Sequence, residues 1–495
     1  MSLRDVATPE LHLEPTWHAA GVGREWGEPP PLLRRLSEAL RSEGVVYCQW
    51  KGHWKRHRWA TGQGDIDLLV DRASSGRFMS VLSSLGFKLA VPPREQRIAG
   101  VASYFGFDPE RQALVHLHVH YHLILGGYWT TTYRLPIEPA VLQSAVPRDV
   151  FPTPSPEFEL ALFVLRHVLQ YSGADGIREP PWVRHIGEEL AYLEAEADPD
   201  RVHEVLRRHL PTVDVAFFDR ALRSLHAGAP RWLRPRLRGA LRRLLRAQAC
   251  RPPTFARLRA LIRRALALRG HSRMRTGDKQ IATGGWVIAL IGGDGAGKST
   301  CARALVAWLS EHFETRHVHL GRPPRSLTSL VVGGVLKASR LLARWPHVVR
   351  TLEQLRYLCT ARDRYRLYRR ARRFARRGGI VVSERHPIPE NRLLAGPVIA
   401  RLCPPGSASR WTRLMIRAEH RYYRQITPPD LAIVLRVDPA IAVQRKTDEP
   451  ATYVRDRAQA VWDTDWTATT ARVVDAGRPL AVVLADLRTL LWSEL

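Results

Sequence analysis

A chain of 495 residues is too long for one ordinary hydrophobic core, so two or three domains are expected. Its 45% hydrophobic and 25% charged content excludes a disordered chain, and no apolar run reaches membrane-spanning length, since the nearest, Leu327 to Ala343, is broken by Lys337 and Arg340. The formal charge of +29 would ordinarily suggest nucleic acid or an anionic membrane, but the excess is arginine spread along helical stretches, which argues against nucleic acid as the partner.

The first residues, MSLRDVATPELHLEPTW, carry acids and prolines where a signal peptide has an apolar core, so no export is expected. Five cysteines without C-x-x-C pairing fit a reducing cytoplasm. Leu32 to Arg41 reads as an amphipathic helix and Val45 to Trp50 as a strand, followed by Lys51-Gly52 and a basic, aromatic loop. Asp65-Ile66-Asp67-Leu68-Leu69-Val70 then forms a strand. Carboxylates at i and i+2 share one face of a strand, as paired ligands for a divalent metal do. Further on, His116, His118, His120 and His122 alternate along ALVHLHVHYH and share a face. Imidazoles so placed could bind Zn²⁺ or Ni²⁺, but i, i+2 neighbours on one strand splay too little to close a tetrahedral site unaided, which favours a polar wall.

With Lys51-Gly52 and Gly64 to Val70, residues 30 to 150 resemble the uncharacterised branch of the nucleotidyltransferase superfamily. The resemblance implies an α+β domain, a mixed sheet flanked by helices, and a third carboxylate on a later strand near His116, a position this chain fills with imidazole.

From Pro152 the pattern is helical: Glu157 to Tyr171, Glu188 to Ala195, Val202 to Leu210, then arginine-studded helices from Arg231 to Arg269. These read as a helical connector packed through its leucines, with peripheral membrane contact as the other option. Gly270 to Gly285 has linker composition.

Trp286 to Ile291 is a buried-strand run ending in GGDGAGKST, and a helical pattern follows from Cys301. This is the context of the phosphate-loop motif, with Gly292, Gly293, Gly295, Ala296, Gly297, Lys298, Ser299 and Thr300 as the nucleotide cradle. Lys298 is expected at the β and γ phosphates and Ser299 on Mg²⁺. Arg316 to Leu320 is a short strand and Val349 to Arg377 a long helix holding Ala361-Arg362-Asp363-Arg364. Ile380 to Ser383 is a strand closing on Glu384-Arg385, an acid placed for Mg²⁺ and an arginine placed for phosphate. Pro429 to Leu435 gives another strand, Asp438 an N-cap, and Thr447 to Arg457 a mobile, charged lid carrying, with the residues before it, Arg445, Lys446, Arg455 and Arg457. Val473 to Arg478 is a strand and turn before the last helix.

Residues 284 to 495 thereby resemble the thymidylate kinase family through the loop, the Ala-Arg-Asp-Arg helix, Glu384-Arg385, the Pro-Asp-Leu strand, the Arg445 lid and the Asp475-Ala476 turn. That resemblance implies a doubly wound parallel sheet, Mg-ATP as donor and a nucleoside monophosphate as acceptor. It places Asp294 at the acceptor's sugar hydroxyl, Arg385 at the acceptor phosphate and the Asp475 to Arg478 turn at adenine. Ile291 stands where the family has glutamate, Glu384 replaces an aspartate, and HPIPENRLLAGP replaces the thymine-reading residues.

The expected organisation is therefore α/β: residues 1–150 nucleotidyltransferase-like, 151–280 helical, and 281–495 a phosphate-loop kinase domain. The expected function is ATP-dependent, Mg²⁺-dependent phosphoryl transfer. The catalytic set is Lys298, Asp294, Arg385, Arg445, Lys446 and Arg455; Asp475 and Arg478 join the cradle at the nucleotide. The metal set is Ser299 and Glu384, with Asp65 and Asp67 in the first domain. A nucleotide-dependent switch, an active N-terminal nucleotidyltransferase, and a homodimer are the alternatives left open.

Overall fold

A computed structural model describes residues 28–53, 64–126, 132–170, 183–230, 232–250, 279–341, 346–388, 396–403 and 408–495. Most of the basic loop after Gly52, the arginine-rich stretch from 251 to 269, and the part of the linker up to 278 lie outside these residues, as does 389–395 of the segment following Glu384-Arg385.

Five strands of the first half, β1 Tyr47–Lys51, β2 Asp65–Val70, β3 Lys88–Val91, β4 Val101–Asp108 and β5 Ala113–His120, build a mixed sheet. A separate ribbon pairs β6 Leu123–Leu125 with β7 Tyr133–Leu135. The sheet's sixth strand comes from far along the chain: β8, Gln280–Ile281, pairs antiparallel with β3, giving the order β1-β2-β5-β4-β3-β8. Linker composition had hidden this strand; Ile281 is buried at 2% exposure, and that burial, not local propensity, holds the pair in place.

Period-two alternation decides the faces of β2. Ile66, Leu68 and Val70 pack beneath the helices Pro31–Ser42 and Ser75–Ser84, against Leu33, Leu36, Leu40 and Phe78. Asp65, Asp67 and Leu69 take the other face. Leu69 joins Trp50, Leu123 and Leu125 in one core with the helices Pro156–Gln170, Val183–Glu196, Pro199–His209, Val215–Leu225 and Leu233–Leu244. The middle region is thus bound into the first sheet's second layer. His53 meets the buried carboxylate of Glu159 at 2.8 Å across that junction.

The last two hundred residues form a wholly parallel sheet: β9 Val287–Ile291, β10 Thr315–His319, β11 Ile380–Glu384, β12 Leu431–Arg436 and β13 Arg472–Asp475, in the order β10-β11-β9-β12-β13. Ile288 and Leu290 meet the helices Lys298–Ser310 and Leu480–Glu494 through Leu305, Leu309 and Leu487. Val287 meets Tyr368 and Phe374 on the long helix Pro346–Ala375, while Ala289 and Ile291 meet Val461 and Trp466. With both faces covered, a strand must be apolar throughout, which VIALI is. Asp438 accepts from the N–H of Ala440 at 2.7 Å and starts its helix as expected.

The two sheets share a core. Phe105 of β4 lies edge-on to Phe313 with centroids 4.9 Å apart, Phe107 packs on Trp308, and Trp492 donates its indole N–H to the carbonyl of Gly86. Among the described residues no helix is long and apolar enough to cross a membrane.

Candidate active site

The loop after β9 emerges at the carboxyl edge of the parallel sheet, between β11 and β12, where crevices form in open α/β sheets. Gly295 and Gly297 have φ of 82° and 80°, a left-handed conformation that side chains disfavour. At Gly297 the chain turns into the helix Lys298–Ser310, whose N-terminus has no side-chain cap. Its first N–H groups are therefore left for an anion, beside the positive end of the helix dipole.

Lys298 is buried, and its Nζ donates to the carbonyl of Gly293 at 2.5 Å. Burial, reinforced by the Arg385 guanidinium, brings its pKa down to about 8, against a partial offset from Asp294 and Glu384. Ser299 Oγ donates to Oε2 of Glu384 at 2.6 Å, and Oε1 of the same carboxylate pairs with His317 Nε2 at 2.7 Å. Serine hydroxyl and glutamate carboxylate are hard oxygen donors, the set Mg²⁺ takes when substrate phosphates complete its shell.

Asp294, also buried, is held by two cations: Arg385 contacts Oδ1, and Arg457 Nε lies 3.2 Å from Oδ2. Arg385 takes a φ of 54° where the chain leaves β11, a conformation costing a non-glycine residue about 1–2 kcal/mol. The stretch expected as a mobile lid contains the first half of a helix, Ala451–Trp462, buried along Val454, Ala458 and Val461. Helical spacing puts Arg457 beside that face, between residues i−3 and i+4, where it reaches Asp294, and leaves Arg455 exposed. Of the two lid arginines, Arg457 is the one beside Asp294.

Arg445 lines the cleft but donates to the carbonyls of Ala476 and Gly477, at 2.7 and 3.0 Å, tying the lid region to the turn after β13. Lys446 pairs with Asp448 at 2.6 Å. Asp475 and Arg478 interact at the rim of that turn, Asp475 accepting from the N–H of Gly477, and neither lines the cleft. His317, His319 and Arg322 were not anticipated. The alternation of His317 and His319 was readable in RHVHL, but their place beside Glu384 follows from the β10–β11 register, which pairs His319 with Glu384.

The cleft occupies about 460 Å³. Arg322 also lines a neighbouring cavity of about 880 Å³, whose other cations are Arg325, Lys337, Arg340, Arg356 and Arg364. Asp363 of the Ala-Arg-Asp-Arg helix lines it too, with its carboxylate already accepting from Ser326 and Ser329.

In the first sheet β2 and β5 run parallel and bring Asp65 opposite His116 and Asp67 opposite His118. His116 Nδ1 lies 2.5 Å from Asp65 Oδ1; Asp67 Oδ1 receives His118 Nδ1 at 3.0 Å, His120 Nε2 at 3.3 Å and Lys51 Nζ at 2.9 Å. Burial works against the charge on Asp67, but Lys51 and the two imidazoles outweigh it and hold the carboxyl well below its ordinary range. His122 lies beyond the end of β5 and pairs with Glu138 at 3.3 Å, so the row sharing one face has three histidines, not four. β5 contributes no acid, and imidazoles with a lysine surround the paired aspartates. That donor set does not suit Mg²⁺, which takes oxygen ligands.

No family model matches the chain. It is 27% identical over 220 residues to the uncharacterized ATP-binding protein YghR of Escherichia coli K12, a stretch covering 40% of this chain and 83% of that protein, with the same figures for YghR of E. coli O6:H1.

Proposed function

We propose that this protein is a Mg²⁺-dependent ATP phosphotransferase whose acceptor is a nucleoside monophosphate such as dTMP, or a related small anionic compound. The observation that carries the reading is the convergence of Lys298, Ser299, Glu384, Asp294 and Arg385 on one cleft at the carboxyl ends of parallel strands, with Arg457 against Asp294. The name of the E. coli relative supports the ATP side of the reaction.

In this reading Lys298 exchanges the Gly293 carbonyl for the β and γ phosphates, while the uncapped helix N-terminus receives a phosphate oxygen. Ser299 and Glu384 hold Mg²⁺, which when bound draws charge off the phosphates. Asp294 accepts from the acceptor's sugar hydroxyl, the acceptor's phosphate oxygen attacks the γ-phosphorus with ADP as the leaving group, and Arg385 and Arg457, already on the two oxygens of Asp294, steady the transferring group. Most of the catalysis is positioning. The adjoining cation-lined cavity suits an anionic acceptor. Residues 281–495 supply the transfer, 1–150 a nucleotidyltransferase-like domain, and 151–280 a helical layer packed on that first domain.

The test is transfer of label from γ-labelled ATP by the full chain, with Mg²⁺, to a panel of nucleoside monophosphates, sugars and sugar phosphates. Acceptor-dependent transfer that Lys298→Ala removes is the expected result. A rate that no acceptor raises above hydrolysis by water would sink the reading and favour a nucleotide-dependent switch.

A further inference from the structure

Asp67 Oδ1, His118 Nδ1 and His120 Nε2 form a triangle with sides of 3.0, 3.2 and 3.3 Å. Its three side chains lie toward the interior of the first sheet, each 13% exposed or less. Ligands bound at 2.0–2.2 Å around a tetrahedral ion stand about 3.3 Å apart or slightly more, so this triangle approximates one face of such a shell. Two histidines spaced i, i+2 splay too little to make that face alone. The parallel pairing of β2 with β5 removes the difficulty, because Asp67 enters from the neighbouring strand opposite His118.

Protons alone leave one edge of the triangle without a hydrogen bond. An ionised carboxylate brings none and each neutral imidazole nitrogen at most one, so three edges share at most two hydrogen bonds. The remaining edge faces like against like. A cation inside the triangle engages all three lone pairs at once, and a carboxylate with two imidazoles is a set that borderline transition metals accept.

We propose that Asp67, His118 and His120 bind one transition-metal ion, Zn²⁺ or a metal of similar preference, with a fourth position left for water or substrate. Lys51 is the built-in competitor, its ammonium 2.9 Å from the same aspartate oxygen. Entry of the ion moves that side chain off Oδ1. A purely structural polar cluster predicts no such rivalry between lysine and metal.

The experiment is Zn²⁺ binding to the full, purified chain, measured by competition with a chromophoric chelator, with circular dichroism as the check on folding. The chain has 20 histidines, so weak adventitious binding is separated by comparing variants. Wild-type protein is expected to take up one tight equivalent. The H118Q/H120Q double variant should weaken it by at least about 100-fold, more than loss of an outer-shell partner does. Lys51→Ala should tighten it by about tenfold or more, because it removes a like charge at contact distance. Lys298→Ala, at the start of the helix behind the glycine loop, should leave it unchanged. Equal Zn²⁺ uptake by wild type and the double variant overturns the proposal, and so does unchanged affinity in Lys51→Ala. If the double variant fails to fold, X-ray absorption on the zinc-loaded wild type decides: a first shell with two imidazoles supports the site, and a shell of oxygens alone or with sulfur overturns it.

Discussion

Ser299 Oγ and Glu384 Oε2 lie 2.6 Å apart although 85 residues separate them in the chain. The pair joins the first turn of the helix after the glycine loop to the carboxyl end of β11, and it exists because β11 lies directly beside β9. Glu384→Gln keeps the hydrogen-bonding shape and removes the charge. Phosphoryl transfer is expected to fall by about 100-fold, with a higher Mg²⁺ concentration needed for half-maximal rate. A Mg²⁺ titration of the variant checks this, and an unchanged midpoint would remove Glu384 from the metal set.

Lys298 carries a pKa of about 8, below its ordinary 10.5, because burial and Arg385 disfavour its charge. In the ligand-free protein kcat/KM should therefore fall above about pH 8, by up to about tenfold per pH unit. Stability moves the opposite way. Between about 8 and 10.5 the unfolded chain binds more protons at this position than the folded one, so the Lys298 contribution rises with pH across that window. A Lys298→Arg enzyme stays charged and should lose the alkaline limb. A limb that survives in Lys298→Arg would assign the titration elsewhere.

Arg457 and Arg455 sit two residues apart on one helix and face different surroundings. Arg457→Ala should lower the transfer rate by about 100-fold, since it takes one of two cations from Asp294. Arg455→Ala should stay within about twofold of wild type. Steady-state kinetics on the two variants compares them directly, and equal losses would mean that the helix moves as a unit over the cleft.

Phe105 is fully buried, stacks on His116 with centroids 4.3 Å apart, and meets Phe313 edge-on. Phe105→Ala should cost about 3–5 kcal/mol. The loss should appear in unfolding of both halves, because this ring belongs to the first sheet and packs against the second half's core. Calorimetry or urea unfolding followed by domain-specific probes measures it; destabilisation confined to the first 150 residues would contradict the shared core.

Much of both sheets was legible because buried parallel strands and half-buried strands leave distinct local patterns. VIALI, IVVSE and LAIVL announce strands covered on both faces, the Gly292 to Thr300 loop announces its own turn and helix start, and Asp65-Ile66-Asp67 announces which side chains share a face. These features depend on a few consecutive residues, so the sequence by itself determined them.

Long-range packing decided the rest. Which lid arginine meets Asp294 depended on the buried face of the helix Ala451–Trp462, and β8 became a strand only because Ile281 found cover beside Ala90. The aspartates of β2 looked like half of an oxygen-ligand site until the register with β5 set imidazoles opposite both of them. The tertiary structure alone made those pairings, because strand register and helix docking are fixed by the fit of whole buried faces, and no run of neighbouring residues contains that information.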